Sequence, residues 1–245
     1  HYYYAETDGK ISAVLPLAHI KSKLFGNFLV STPFCVYGGP AYQDKDAALK
    51  LIDNAVSIGK ELGVDYVEIR SEKALSDGGI INDLYTTFRL DIEPDRDVIM
   101  QAIWRKQRTV IRKSHKSGLE HTFDKNIDDF YTVYSTSVRN LGTPVFSKKY
   151  FQALFETFGE QCEVLSIRKE GQAVSSVMSF YDNGIVYPYY GGGTFDARGL
   201  KSNDYMYYEL MCHAAIDREC KLFDFGRSKK GTGAWDYKNT GPWSL

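Results

Sequence analysis

The chain has 245 residues, 30 Lys+Arg against 31 Asp+Glu, a net charge of −1 and 43% hydrophobic residues. That length holds one large domain or two ordinary ones, and the near-neutral balance excludes a protein that coats polyanions with its whole surface. No run of eighteen apolar residues occurs, so no membrane-spanning helix is expected, and no secretory signal pattern is visible.

HYYYAE, a TDGK turn and ISAVLPLAHI read as a hairpin, with FLVSTPFCVYGG as a third extended stretch. Helical spacing runs from about Asp46 to Leu62 and ends at Gly63. DYVEIRS at 65–71 and LYTTFRLDI at 84–92 read as strands. Pro94 precedes one long helical pattern from Asp95 to Ser117, with Gly118 as its expected C-terminal cap. LEHTF follows as a short strand. Two helices follow at about 126–140 and 147–158, the second with Ser147 at its N-cap. CEVLSIR, a KEGQ turn and AVSSVMSFY form another hairpin. GIVYPYYGGG, a helix from about Ser202 to Glu219 and LFDFGRS at 222–228 complete the pattern.

The second half replays the first. TDGK matches KEGQ, CVYGG matches PYYGG, and VEIRS matches DFGRS, in the same order. This is an internal duplication with two copies, each ordered β-β-β-α-β. A crossover helix between the last two strands implies a parallel pair in an otherwise antiparallel sheet. We place the first domain at 1–118 and the second at 119–245.

Two glycine-rich strand ends followed by helices suggest exposed backbone N–H groups at a positive helix end, a seat for a phosphate or an acyl oxygen. The alternative is a tight turn or bulge. Residues 224–241 are rich in Gly and cations, but Thr232 follows Gly231 where a P-loop needs Lys, so a nucleotidase is excluded. Arg227, Lys229 and Lys230 remain available to an anion, or as a solvated loop. From 105 to 116 the chain carries Arg105, Lys106, Arg108, Arg112, Lys113 and Lys116 with no acid between them. Arg105, Arg108, Arg112 and Lys116 share a face that suits RNA phosphates or a lipid-diphosphate surface, unless it is simply solvated. Trp104 beside them stacks on a base or packs in the core. The five histidines are scattered and no metal site is expected. Cys35, Cys162, Cys212 and Cys220 form no C-x-x-C pair, which indicates free thiols in a reducing compartment.

The stretches VLPLAHIKSKLFG, PFCVYGG, IRKSHKSGL, YPYYGGG, FDFGRS and WDYKNTG, in this order, resemble the FemAB/FemX family, which carries two GNAT (acyl-CoA N-acyltransferase-like) domains in tandem. The resemblance covers nearly the whole chain. It is greatest to the FemAB-like proteins encoded with exosortase (PEP-CTERM) and exopolysaccharide systems. It implies an α/β fold with mixed sheets, a tandem duplicated GNAT architecture, and an active site in the second domain. It also implies transfer of an aminoacyl group from aminoacyl-tRNA to an amine of a peptidoglycan or other cell-envelope precursor, with no tightly bound cofactor. Acyl-CoA N-acyltransferases usually show R/Q-x-x-G-x-G/A where the helix begins. Here FDARGLKSND retains Arg198 and Gly199 without the spaced glycines, which leans away from CoA. An acyl-CoA-dependent N-acyltransferase and a non-catalytic binding module are the two alternatives.

Within this resemblance Lys238 of WDYKNTG is the expected charge-stabilising catalytic residue, since amine attack on an ester places negative charge on the carbonyl oxygen. Asp224, Asp236, Tyr190 and Tyr205 are candidates for the base, unless the substrate amine loses its proton without a dedicated residue. Substrate contacts are expected from Tyr189, Tyr190, Gly192, Gly193, Arg198, Tyr205, Arg227, Ser228 and Trp235. A cytoplasmic enzyme that reaches the inner-membrane surface for a lipid-linked acceptor is expected, with tRNA as a partner and no DNA.

Overall fold

A computed structural model describes residues 2–75, 78–82 and 84–229. It divides into two compact units, His1–Asp83 and Leu84–Leu245.

The first unit contains β1 (Tyr2–Thr7), β2 (Lys10–Pro16), β3 (Ala18–Ser22), β4 (Gly26–Val30), β5 (Ala41–Tyr42), α1 (Lys45–Glu61) and β6 (Tyr66–Glu68). Two three-stranded sheets form, ordered β1-β2-β5 and β3-β4-β6. α1 is capped by the Asp44 side chain, which accepts from the Asp46 N–H, and it buries Ala47, Ala48, Leu51 and Ala55. These pack with Leu15, Leu17 and Leu29 as one core. The strand expected over FLVSTPFCVYGG ends at Val30. Gly38 and Gly39 lie in a loop whose N–H groups donate to the Arg70 carbonyl.

The second unit contains β7 (Tyr85–Asp91), α2 (Arg96–Ala102), α3 (Arg105–His115), β8 (Leu119–Asp124), α4 (Ile127–Asn140), α5 (Lys148–Phe158), β9 (Cys162–Lys169), β10 (Gln172–Asp182), β11 (Ile185–Gly193), α6 (Ala197–Leu200), α7 (Ser202–Ile216) and β12 (Leu222–Lys229). The strands form one sheet ordered β7-β12-β11-β10-β9-β8. Side chains alternate across it, as a period of two requires. Cys162, Val164, Met178 and Tyr190 face α4 and α5, packing with Phe130 and Phe151. Leu165, Ile167 and Val177 face the opposite layer, with α7 and with Ile99, Ile103 and Ile111 of the α2–α3 segment. α7 has buried residues on all sides, the signature of a helix enclosed by its neighbours.

Two expectations are corrected. The single helix over 95–117 is two helices, because Ile103 and Trp104 are extended. Ile103 is drawn into the core at 1% exposure. The division between units falls at 83/84 rather than at 118. β7 pairs along β12, from Leu222↔Asp91 to Lys229↔Tyr85, and α2 and α3 pack on α7. These pairings hold residues 84–118 in the second unit.

The duplication is visible in the backbone. The TDGK turn has Asp8 and Gly9 at φ 52° and 74°, and the KEGQ turn has Glu170 and Gly171 at 52° and 79°. Both are two-residue turns of the hairpin type that requires positive φ at each central position. α1 links the parallel pair β4 and β6, and α7 links the parallel pair β11 and β12. The copies differ at Leu17, where β2 gives way to β3. In the second unit β10 runs unbroken for eleven residues. Among the described residues no helix is long and apolar enough to cross a membrane.

Candidate functional site

The parallel ladder between β11 and β12 is two residue pairs long, Ile185↔Leu222 and Val186↔Phe223. Beyond it β11 runs on along β10 as far as Ser175↔Gly193, and β12 runs on along β7. Each strand also carries an irregularity just past the shared pairs. In β11 the register jumps between Met178↔Tyr190 and Ser179↔Pro188, leaving Tyr189 as the extra residue. In β12 the jump falls between Asp224 and Arg227, where Gly226 has φ 71°. Bulges bend a strand and increase its twist, so both help the strands part in the middle of the sheet.

At the open end, β11 leads into α6 and α7. Gly191, Gly192 and Gly193 are paired strand residues, not a turn, and none has positive φ. Their bareness has a packing cause. A Cβ on Gly192 would stand 2.5 Å from the Ser137 Cβ of α4, and one on Gly193 would stand 2.6 Å from the Ala197 Cβ. The helices on either side approach the strand backbone at these two residues. Ser137 and Ala197 thus occupy the side-chain positions of Gly192 and Gly193.

Lys201, at φ 58°, turns the chain into α7. Ser202 is fully buried and hydrogen-bonds Ser175 of β10. Close by, the Thr194 Oγ1 and Asn203 Oδ1 atoms are buried with no hydrogen-bond partner among the described residues. Asp204, in the first turn, accepts from Gln107 Nε2 at 2.8 Å. Burial pushes its carboxyl up to about 6, against the opposing pull of Lys201 and of that hydrogen bond. Arg198 is exposed on α6. A cleft of about 550 Å³ lies beside it, lined by Lys169, Gln172, Phe195, Asp196, Gly199 and Leu200 among others. Phe195 stands 90% exposed at this cleft. A second cleft, about 540 Å³, lies on the α4 side and is lined by Tyr131, Ser135, Thr136, Arg139 and residues 142–145.

The other expected site residues scatter. Asp224 is 2% exposed. Its Oδ2 pairs with Arg89 Nε at 2.8 Å and its Oδ1 accepts from the Gly226 N–H at 2.7 Å. Oδ1 closes the bulge within β12, and Oδ2 ties it to β7. Tyr190 packs among Phe146, Tyr150 and Phe151, and its hydroxyl lies 2.9 Å from that of Tyr150. Tyr189 lies against Phe180 and Tyr190. Tyr205 is on the opposite face of the sheet from Tyr190, its hydroxyl 2.9 Å from His121 Nδ1, with burial pushing it up to about 12. The sheet therefore separates the two tyrosines that the sequence offered as alternatives for one role. Arg227 is exposed, its guanidinium 4.6 Å from the Tyr85 ring centroid, and Ser228 pairs with Thr86. Lys230, Trp235, Asp236 and Lys238 lie outside the described residues, as does the side chain of Lys229.

Sequence reasoning passed over one buried ionic centre. Glu209 of α7 is 2% exposed and receives Arg96 Nη2 at 2.8 and 2.7 Å. His115 and His121 place their Nε2 atoms 3.7 and 3.8 Å from it. Burial lowers the His115 imidazole, and Arg96 and His121 lower it further, while Glu209 opposes them. The signal was present in YMYYELMC, where one acid is flanked on both sides by apolar and aromatic residues. An acid in such a helix is buried, and a buried acid requires a cation.

Comparison with known proteins accords with this geometry. No curated protein matches the chain. A crystal structure of FemX superposes with a TM-score of 0.67 at 13% identity, over 98% of this chain and 84% of FemX. The C-terminal DUF2156 domain ascribed to a lysylphosphatidylglycerol synthetase from Agrobacterium fabrum gives 0.65 at 15% identity, over 94% and 71%. A conserved protein of unknown function from Bacteroides thetaiotaomicron gives 0.59 at 11% identity, over 97% and 80%. At these identities the likeness is one of fold. Residues 105–239, more than half of the chain, match the model of the acetyltransferase (GNAT) domain, and the chain belongs to that family.

Proposed function

We propose that the protein is a transferase that moves an aminoacyl group from aminoacyl-tRNA to an amine of a peptidoglycan or other cell-envelope precursor. The observation that carries acyl transfer is the two-pair ladder between β11 and β12. Strands that part in mid-sheet open a slot lined by backbone amides, and a linear acyl donor enters such a slot. Developing charge on the carbonyl oxygen is then met by fixed N–H dipoles. The amine attacks the acyl carbon, the donor oxygen leaves, and the amine proton passes to a base. Lys238 remains the proposed cation at the reacting carbonyl.

The Fem-type donor is supported by two features. The superposition on FemX takes in 98% of the chain, both units included. The segment that leads through α6 into α7, FDARGLKSND, also lacks spaced glycines for a diphosphate. Arg198, exposed on α6, is the proposed contact for a donor phosphate. The acceptor belongs to envelope or exopolysaccharide synthesis, in keeping with the exosortase-associated resemblance, and the reaction takes place in the cytoplasm.

A second reading has its own observation. The matching family model is described as an acetyltransferase domain, which favours an acyl thioester donor. Calorimetric titration with acetyl-CoA at low and physiological salt separates the two. We expect no binding, together with aminoacyl transfer from charged tRNA that is lost in Lys238→Ala. Micromolar, salt-resistant acetyl-CoA binding that weakens in Arg198→Ala would replace the first reading by the second. Absence of both activities would leave a binding module.

A further inference from the structure

α3 has two unlike sides. Gln107, Ile111 and Ser114 are buried against the second unit. At 100° per residue they mark one side of the helix. Arg105, Lys106, Arg108, Arg112, Lys113 and, at the C-cap, Lys116 fan over the other. Five of these are exposed, and Arg108 is half-buried. α3 contains no acid, and among the described residues none of the six cations makes an ion pair. Six other cations of the same unit are matched, and Arg139, Lys149, Arg198, Lys201 and Lys221, which make no ion pair among the described residues, lie scattered over separate segments. Arg89 pairs with Asp224, Arg96 with Glu209, Lys125 with Glu160, Lys148 with Asp128, Arg168 with Asp129 and Arg218 with Glu163. A chain of net charge −1 therefore concentrates unmatched positive charge on one helix face. Trp104, 43% exposed, stands at the start of that helix.

We propose that this face docks the protein on the anionic headgroups of a phospholipid bilayer. The cations cover about half of the helix circumference. That convex half-cylinder of charge complements a broad negative plane. A single-stranded nucleic acid is held instead in a positive groove with aromatic platforms, and neither of the two clefts is lined by an α3 residue. An indole at the rim suits the headgroup level, where tryptophan concentrates. The inference goes beyond acyl transfer and stands without it.

The test is co-sedimentation of the full chain with vesicles of phosphatidylcholine alone or with about a third phosphatidylglycerol, at low and high salt. Each Lys or Arg at an anionic surface contributes roughly a fivefold gain in partitioning. Binding is expected to the anionic vesicles only, to weaken with salt, and to fall about a hundredfold in Arg105→Gln/Arg112→Gln/Lys116→Gln. Lys10→Gln/Lys23→Gln/Lys50→Gln, exposed sites in the first unit, removes the same charge and is expected to leave binding unchanged. Equal losses in the two triple variants, or no binding to anionic vesicles, would overturn the proposal. So would α3-dependent retention of bulk tRNA by a protein that ignores vesicles, which would assign the face to nucleic acid. Circular dichroism confirms that both variants are folded.

Discussion

Ser137 of α4 occupies the space that a side chain on Gly192 of β11 would need. A Cβ built on Gly192 would lie 2.5 Å from the Ser137 Cβ and 2.7 Å from its Oγ. A run of three glycines that invites a ligand-binding interpretation is, at this residue, where a helix meets a strand.

Gly192→Ala is accordingly expected to destabilise the protein by about 1–3 kcal/mol, the usual cost of overpacking. Adding Ser137→Gly removes the clashing atoms and should recover part of that loss, offset by roughly 1 kcal/mol for a glycine inside α4. Urea denaturation of the two single variants and the double variant checks this. A Gly192→Ala protein as stable as the parent would refute the close approach.

Arg96→Met leaves the Glu209 carboxylate buried without its guanidinium. Breaking a buried pair costs about 3–5 kcal/mol. Arg96 has a side chain 48% exposed, so about 2 kcal/mol is expected after allowance for solvent screening. Arg96→Met/Glu209→Leu should restore most of it, because no charge is then left in the core. A double variant no more stable than Arg96→Met would argue against an ionic origin.

His213 bridges two carboxylates, with Nε2 2.9 Å from Glu163 and Nδ1 2.9 Å from Asp217. Burial lowers its affinity for protons, but the contacts with Glu163 and Asp217 outweigh that and raise it overall. A raised folded-state value means this stabilisation is full below the unfolded histidine value, about 6.5. It is lost as pH rises through the folded value. The parent should lose thermal stability as pH rises above about 6.5, and His213→Gln should flatten that slope. An unchanged slope would remove His213 as its source.

Asp204 carries the opposite sign to an ion-paired acid. Its carboxyl is pushed up to about 6, chiefly by burial, so the charged form is less welcome folded than unfolded. Stability should decline as pH rises from about 4 to 6 and stay level above that. Asp204→Asn, which keeps the hydrogen bond with Gln107, should be more stable than the parent at pH 7. Thermal melts from pH 4 to 8 decide this, and a less stable Asn variant would contradict it.

Much of the architecture was legible as pattern. Asp44 before an amphipathic run, Gly63 after it, and the paired turns TDGK and KEGQ are local signals. Cap and turn chemistry acts within a few residues. The β-β-β-α-β order followed in the second half, and the parallel junction in both, while the first unit splits its second strand at Leu17 and adds β5 before α1. The break at Ile103–Trp104 was not legible, because it answers to the core that Ile103 enters rather than to any glycine or proline. The unit boundary was not legible either, since β7 finds its partner β12 more than a hundred residues further along the chain.

The candidate site divides in the same way. By itself the sequence determined the composition of the site region: a tandem fold, a glycine-ended strand before a crossover helix, and a set of cations on α3 with no acid among them. Only the tertiary structure decided how those residues are used. It placed Tyr190 and Tyr205 on opposite faces of one sheet, turned Asp224 into the lock of a bulge, and gave two of the three glycines to packing. It also matched six other cations of the unit with acids distant in sequence, and left the six on α3 together and unmatched. Residue type and spacing set what a segment can do. Which groups meet depends on strand pairing and burial between distant segments, and those are settled only when the whole sheet forms.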